Sequence, residues 1–219
     1  MSRPKITLID YGVGNLLSVK RGIEHCGGEV LLTSDPGDVL AANSVVLPGV
    51  GAFANAMDAL NSRGLVEAIK KLDQIGTPLL GICLGMQLLL DESEEFGVTK
   101  GLGLIPGRVV PIPKLTLQNE KQKIPHIGWS SIDLSESWCD WRGSILQDNI
   151  PGEATYFVHS FMTITTNSSH RLAEFKYGGH RIPAVIAKDN IIGCQFHPEK
   201  SGQVGLKMLS RFCASCPPS

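Results

Sequence analysis

The sequence predicts an α/β fold: an open, mostly parallel central sheet with helices on both faces and antiparallel strands on one side. Three observations carry this. Strand and helix signals alternate over the first ninety residues, the order expected of an open parallel sheet. The run PLLGI at 78–82 has no polar face, as suits the buried centre of such a sheet. From about Gly101 to Ile186 the pattern changes to short β-like runs joined by turn-rich pieces, which read as antiparallel additions.

In chain order, KITLID at 5–10 is a short apolar strand that opens into the turn YGVGN. A helix follows from about Leu16, with Leu16, Val19, Ile23 and Cys26 on one stripe, and Gly27-Gly28 ends it. EVLLT at 29–33 and SVVLP at 44–48 are strands, separated by a short helix after Asp35-Pro36. Leu65, Ala68, Ile69 and Leu72 mark a further amphipathic helix before PLLGI. Beyond it RVVPIP, ATYFVHSF and PAVIA are the β-like runs, in a region that also holds Trp129, Trp138 and Trp141. The chain returns to IIGCQF at 191–196, turns, and closes with a helix near Gly202 to Cys213, leaving CPPS as a frayed end. There is no internal repeat or low-complexity tract, so residues 1–219 are expected to form a single domain.

Composition narrows the function classes. Of the 219 residues 42% are hydrophobic and 19% charged, as in soluble globular proteins. A formal net charge of -1 argues against a nucleic-acid or membrane surface. MSRPKITLID carries no signal-peptide pattern, and the apolar window Val45 to Met57 is too short and too broken to span a bilayer. The expected compartment is therefore cytoplasmic, with the six scattered cysteines reduced. Cys213 and Cys216 have CxxC spacing but no second ligand pair, so neither zinc nor redox use is expected there.

The stretch LLGICLGMQLLL, Leu79 to Leu90, places Cys83 between Gly81 and Gly85 where an apolar strand becomes a helix. Cys83 is either small buried filler or a nucleophile on a sharp strand-to-helix turn. In the second reading the N–H of Leu84 points to where an oxyanion forms, and the helix start favours a thiolate. Among six histidines, His25 reads as a helix-surface residue and His126, His170 and His180 as loop residues; His159 ends a strand where it can line a pocket. His197 in QFHPEK follows a strand, as Cys83 does, and Pro198 keeps the backbone extended. His197 and Glu199 then share a face, so a carboxylate can orient the imidazole as the third member of a Cys-His-acid relay. The loop LPGVGAF, with Gly49 and Gly51, follows another strand and can present a backbone N–H to a substrate.

In this order and spacing, PGVGAF, GICLGMQ and QFHPEKS resemble the class I, triad-type glutamine amidotransferases, whose fold is flavodoxin-like. DYGVGNLLSV, TSDP, GLGLIPGRV, PHIGW and YFVHSF extend the resemblance over nearly the whole chain. It implies that Cys83 attacks the side-chain amide of L-glutamine, with His197 as proton carrier and Glu199 orienting it. Leu84 and the Gly49-Val50-Gly51 loop would hold the oxyanion, while Gly51, Gln87, His159 and Ser160 would help hold glutamine. No metal or organic cofactor is implied. PGVGAF points within the family to glutaminase subunits that pass ammonia to a (β/α)8-barrel cyclase in histidine biosynthesis, as one half of a heterodimer. Asn15 and Lys200 match positions on the docking face. Ser130 departs from the family pattern, which usually has asparagine after the tryptophan. Two other readings stay open: a sister glutaminase whose partner amidates a sugar for surface polysaccharide, and a catalytically inactive docking subunit.

Overall fold

The structure, a computed structural model, describes residues 3–12 and 14–215. The expected YGVGN turn therefore contains one residue, Val13, outside the described residues, as are Cys216 and the terminal CPPS.

The N-terminal half alternates as expected. Strand β1 (Lys5–Ile9) leads to helix α1 (Leu16–His25), β2 (Glu29–Thr33), α2 (Pro36–Leu40) and β3 (Val45–Leu47). Asp35 caps α2, its carboxylate accepting from the N–H of Gly37 at 2.6 Å, and Pro36 sits where a missing N–H costs nothing. Two consecutive helices follow, α3 (Phe53–Ser62) and α4 (Leu65–Ile75), then β4 (Leu79–Ile82) and the five-residue helix α5 (Leu84–Leu88). The sequence reading identified α4 but not α3, although the buried Phe53, Ala56, Met57 and Leu60 of α3 stand at the i, i+3, i+4, i+7 spacing of an amphipathic helix.

The second half supplies β5 (Glu92–Ser93), β6 (Thr99–Lys100), β7 (Gly107–Pro111), β8 (His126–Ser131) and β9 (Asp133–Leu134). It continues with β10 (Ala154–His159), β11 (Phe161–Thr165), β12 (Arg171–Tyr177), β13 (His180–Lys188), β14 (Ile191–Cys194) and α6 (Gly202–Ala214). ATYFVHSF is thus two strands that part at Ser160. His126 and His180 stand on strands rather than in loops, and His126 is buried.

The main sheet has the order β2-β1-β3-β4-β14-β13-β12-β9. β2, β1, β3, β4 and β14 pair in parallel, and β13, β12 and β9 continue that edge antiparallel. β11-β7-β5-β6 and β10-β8 form two smaller sheets. Helices cover both faces. Val19 and Ile23 of α1 share one core with Met208 and Leu209 of α6, while Phe53, Leu60, Ile69 and Leu72 of α3 and α4 build the other. Covered on both sides, β4 is buried at all four residues.

Its position fixes the site. β4 lies between β3 and β14, so the carboxyl ends of three parallel strands deliver Pro48, Cys83 and Gln195 side by side, where open α/β sheets place their ligands.

Truncating a fully buried core leucine is expected to cost far more than truncating an exposed aromatic. Leu209→Ala should destabilise by about 2–5 kcal/mol, and Phe96→Ala, at a side chain 91% exposed, by under about 0.5 kcal/mol. Chemical denaturation of the two variants checks this.

Candidate active site

Cys83 has φ 55° and ψ -111°, a backbone conformation that L residues rarely occupy. The turn is held by its neighbours. The Cys83 N–H donates to the carbonyl of Cys194 at 2.8 Å, tying the turn to β14. A Cβ on Gly85 would lie 1.9 Å from the carbonyl oxygen of Leu47, and one on Gly81 would lie 2.7 Å from the Gly85 backbone. The G-x-C-x-G spacing is therefore dictated by close backbone approach. Leu84 begins α5, so its N–H is among those with no acceptor inside the helix. At five residues the helix offers these first-turn N–H groups rather than a long axial dipole.

Cys83 opens into a cavity of about 450 Å³ lined by Val50, Gly51, Leu84, Gln87, His159 and Ser160, with Glu95, Phe96 and His197 also facing it. Gly49 lies behind this wall, buried against Tyr11 and Leu84. Tyr11, fully buried, donates its hydroxyl to the Pro48 carbonyl at 2.8 Å and so anchors the loop that carries Val50 and Gly51.

His197 keeps the extended backbone that its proline suggested, with φ -96° and ψ 98°. Its Nδ1 donates to Oε1 of Glu199 at 2.8 Å, and both side chains are buried. That bond leaves Nε2, which is buried and makes no standard hydrogen bond, for the Cys83 sulfur. Burial alone pushes the imidazole towards neutrality. The Cys83 sulfur and the Glu199 carboxylate outweigh it, and His197 is raised from 6.5 to about 9.

His159 is the opposite case. Burial lowers it to about 4, so it is neutral, and Nδ1 donates to the Phe161 carbonyl at 2.8 Å. Its Nε2 is then an acceptor, buried without a partner. Gln87 donates one N–H to the same carbonyl at 3.2 Å and the other to Gln195 at 2.9 Å, so only its oxygen is left for the cavity. Asn15 starts α1 and is half-buried, and Lys200 is exposed beyond the His-Pro-Glu turn, so neither lines the cavity.

The sequence reading missed Glu95, Gln195 and Tyr11. Glu95 accepts from the Phe53 N–H at 2.6 Å at the start of α3, but within DESEEFG it looks like any solvated acidic run. Gln195 had a usable signal: it precedes His197 by two in an extended segment and so shares its face. Among the described residues no group of three or more His, Cys, Asp or Glu side chains converges as a metal site requires.

With a folded value of about 9 against an ordinary 6.5, His197 contributes stability that is whole below about pH 6.5 and is lost as pH rises through about 9. Unfolding midpoints of the wild type and His197→Asn are expected to converge across that window. A gap that does not change with pH contradicts the charged pair.

Comparison with known proteins places this geometry in a family. The model of the class I glutamine amidotransferase family matches residues 7–216. The chain is 48% identical over 208 residues to imidazole glycerol phosphate synthase subunit HisH 1 of Legionella pneumophila (strain Lens), covering 94% of this chain and 97% of that protein. It is 44% identical to subunit HisH of Geobacillus sp. (strain WCH70), with 95% and 96% covered. Among solved structures, PurLQS from Thermotoga maritima superposes with a TM-score of 0.71 at 16% identity, over 97% of this chain and 98% of that one, a likeness of fold. The chain belongs to the class I glutamine amidotransferase family, among the HisH subunits.

Proposed function

We propose that this chain is the glutaminase subunit of an imidazole glycerol phosphate synthase, a single catalytic domain spanning the chain. It hydrolyses L-glutamine at Cys83 and hands ammonia to a (β/α)8-barrel cyclase of histidine biosynthesis, with which it forms a heterodimer. The observation that carries this is a cysteine on a strained strand-to-helix turn, facing an imidazole that a buried carboxylate orients, inside a cavity suited to an amino acid.

The Cys83 sulfur attacks the side-chain carbonyl carbon of glutamine, while its proton resides on His197. The backbone N–H of Leu84, with N–H groups of Val50 and Gly51, takes up the negative charge on the carbonyl oxygen. Gly49, buried behind the cavity wall, shapes that loop rather than meeting substrate. As the tetrahedral species collapses, the C–N bond breaks and His197 gives its proton to the nitrogen, which leaves as ammonia. Water, deprotonated by the now neutral His197, then splits the γ-glutamyl thioester to glutamate and restores the sulfur. Glu199 keeps Nδ1 protonated and Nε2 aimed at the sulfur throughout, the orienting role of the acid in such relays. The Glu95 carboxylate, the Gln87 oxygen and His159 Nε2 are all acceptors, a set that suits the ammonium and N–H groups of glutamine, with Ser160 beside them.

Ammonia released to water at neutral pH becomes ammonium and is no nucleophile, which favours a partner seated at the mouth of the cavity. A surface there fits one. On β8 the alternate residues Ile127 and Trp129 are 54% and 57% exposed, and Trp129 packs edge-on against Tyr156 of the paired β10. Val158 of the same ribbon and Pro125, just before β8, line the cavity, so this apolar face adjoins the site. Asn15 and Lys200 are assigned to the same docking surface. Among the described residues no helix is long and apolar enough to cross a membrane.

Glutamate release is expected to be slow from the chain alone and to rise by orders of magnitude with the cyclase and its ribulosyl nucleotide, with Cys83→Ala at the blank level. Trp129→Ala should weaken cyclase binding about tenfold or more while sparing reaction of Cys83 with alkylating agents. Full stimulation that Trp129→Ala leaves untouched contradicts the docking face. No stimulation, with Cys83 still reactive, points to a different ammonia acceptor.

A further inference from the structure

We propose that the Gln195 side-chain amide donates a hydrogen bond to the Cys83 sulfur and stabilises its thiolate, making Gln195 a fourth member of the catalytic group. This rests on the reading of Cys83 as the nucleophile. Gln195 is completely buried, and its Nε2 lies 3.8 Å from Cys83 Sγ.

The direction of that bond follows from its surroundings. A backbone carbonyl can only accept, so the Phe161 oxygen fixes the Gln87 amide with its nitrogen towards it, at 3.2 Å. The same nitrogen reaches Gln195 at 2.9 Å, and the atom that meets it must be the Gln195 oxygen. The Gln195 nitrogen is then left facing the sulfur. His159 Nδ1 reinforces the anchor by donating to the same Phe161 carbonyl at 2.8 Å. The main chain of Gln195 is pinned as well, its N–H donating to Ala184 at 2.8 Å. A donor held this way cannot turn its oxygen to the sulfur without leaving a buried N–H of Gln87 unpaired.

The sulfur needs such a donor. As a thiol it can give its hydrogen to the Val158 carbonyl, 3.9 Å away, an oxygen that does nothing for a negative sulfur. As a thiolate it needs N–H groups, and a hydrogen bond to a charged partner is stronger than one between neutral groups. The other titratable groups around it are His197 with Glu199 behind it, Tyr11 beyond the end of β1, Cys194 on β14, His159 at the end of β10 and Glu95, which lines the same cavity. Of these only His197 favours negative charge on the sulfur. Tyr11 and Cys194 are held protonated by burial, and His159 is neutral.

The test is the rate at which iodoacetamide alkylates Cys83 in the full chain, followed by mass spectrometry. Near neutral pH, Gln195→Met, which keeps the length and removes the donor, should react about tenfold more slowly than wild type. Gln195→Glu, which puts a carboxylate by the sulfur, should be slower still. The Gln195→Met deficit should close as the pH is raised, because a thiolate forced by alkali no longer depends on the donor. In steady-state hydrolysis kcat should fall with KM little changed. Each variant is read separately, provided it keeps a cooperative melt, so either one suffices. Alkylation as fast as wild type in a folded variant, or a deficit that persists at high pH, overturns the role of Gln195. If wild-type Cys83 reacts no faster than the exposed Cys139, the nucleophile reading itself fails, which is a different result.

Discussion

The site depends on one strained residue. Cys83 occupies a backbone conformation that costs on the order of 1–3 kcal/mol, and it does so at the centre of the sheet where the surroundings leave no alternative. Its N–H is spent on Cys194 of β14, and Gly85, two residues on, sits so close to Leu47 of β3 that no side chain fits between. The Cys83 turn is thereby locked to both neighbouring strands. Because β3 leads into the Val50-Gly51 loop and β14 into His197, the geometry of the candidate site is the geometry of three adjacent strand ends.

The electrostatics follow from burial. A charged His197 is tolerated in a dry site because Glu199 accepts from one ring nitrogen and the Cys83 sulfur faces the other. His159, equally buried but without a carboxylate, is driven neutral instead. The buried polar atoms that stay unpaired include His197 Nε2, His159 Nε2 and Glu199 Oε2, and the first two belong to residues that face the cavity. Buried polar groups are nearly always satisfied, and His159 Nε2, an acceptor with no partner within the protein, is placed to meet a donor from a molecule in the cavity.

Much of this was legible in the sequence. The parallel strands announced themselves because a strand covered on both faces has no polar alternation, and the glycines around Cys83 did so because only close packing requires two of them at that spacing. His197 and Glu199 could be paired from the period of an extended segment. What stayed hidden has physical causes. Helix α3 begins at Phe53, at the end of the LPGVGAF stretch that reads as a loop, although Phe53, Ala56, Met57 and Leu60 keep helical spacing. Glu95 and Tyr11 act through contacts between residues dozens of positions apart, as in the 37-residue separation of Tyr11 from Pro48. Local patterning carries no record of such contacts.

The most direct measurement maps the adduct formed by a glutamine-analogue electrophile, comparing wild type with His197→Asn and Glu199→Gln. A single adduct on Cys83, formed quickly in wild type and far more slowly in both variants, is the expected result. An adduct on another cysteine, or a rate on Cys83 indifferent to His197 and Glu199, contradicts the relay.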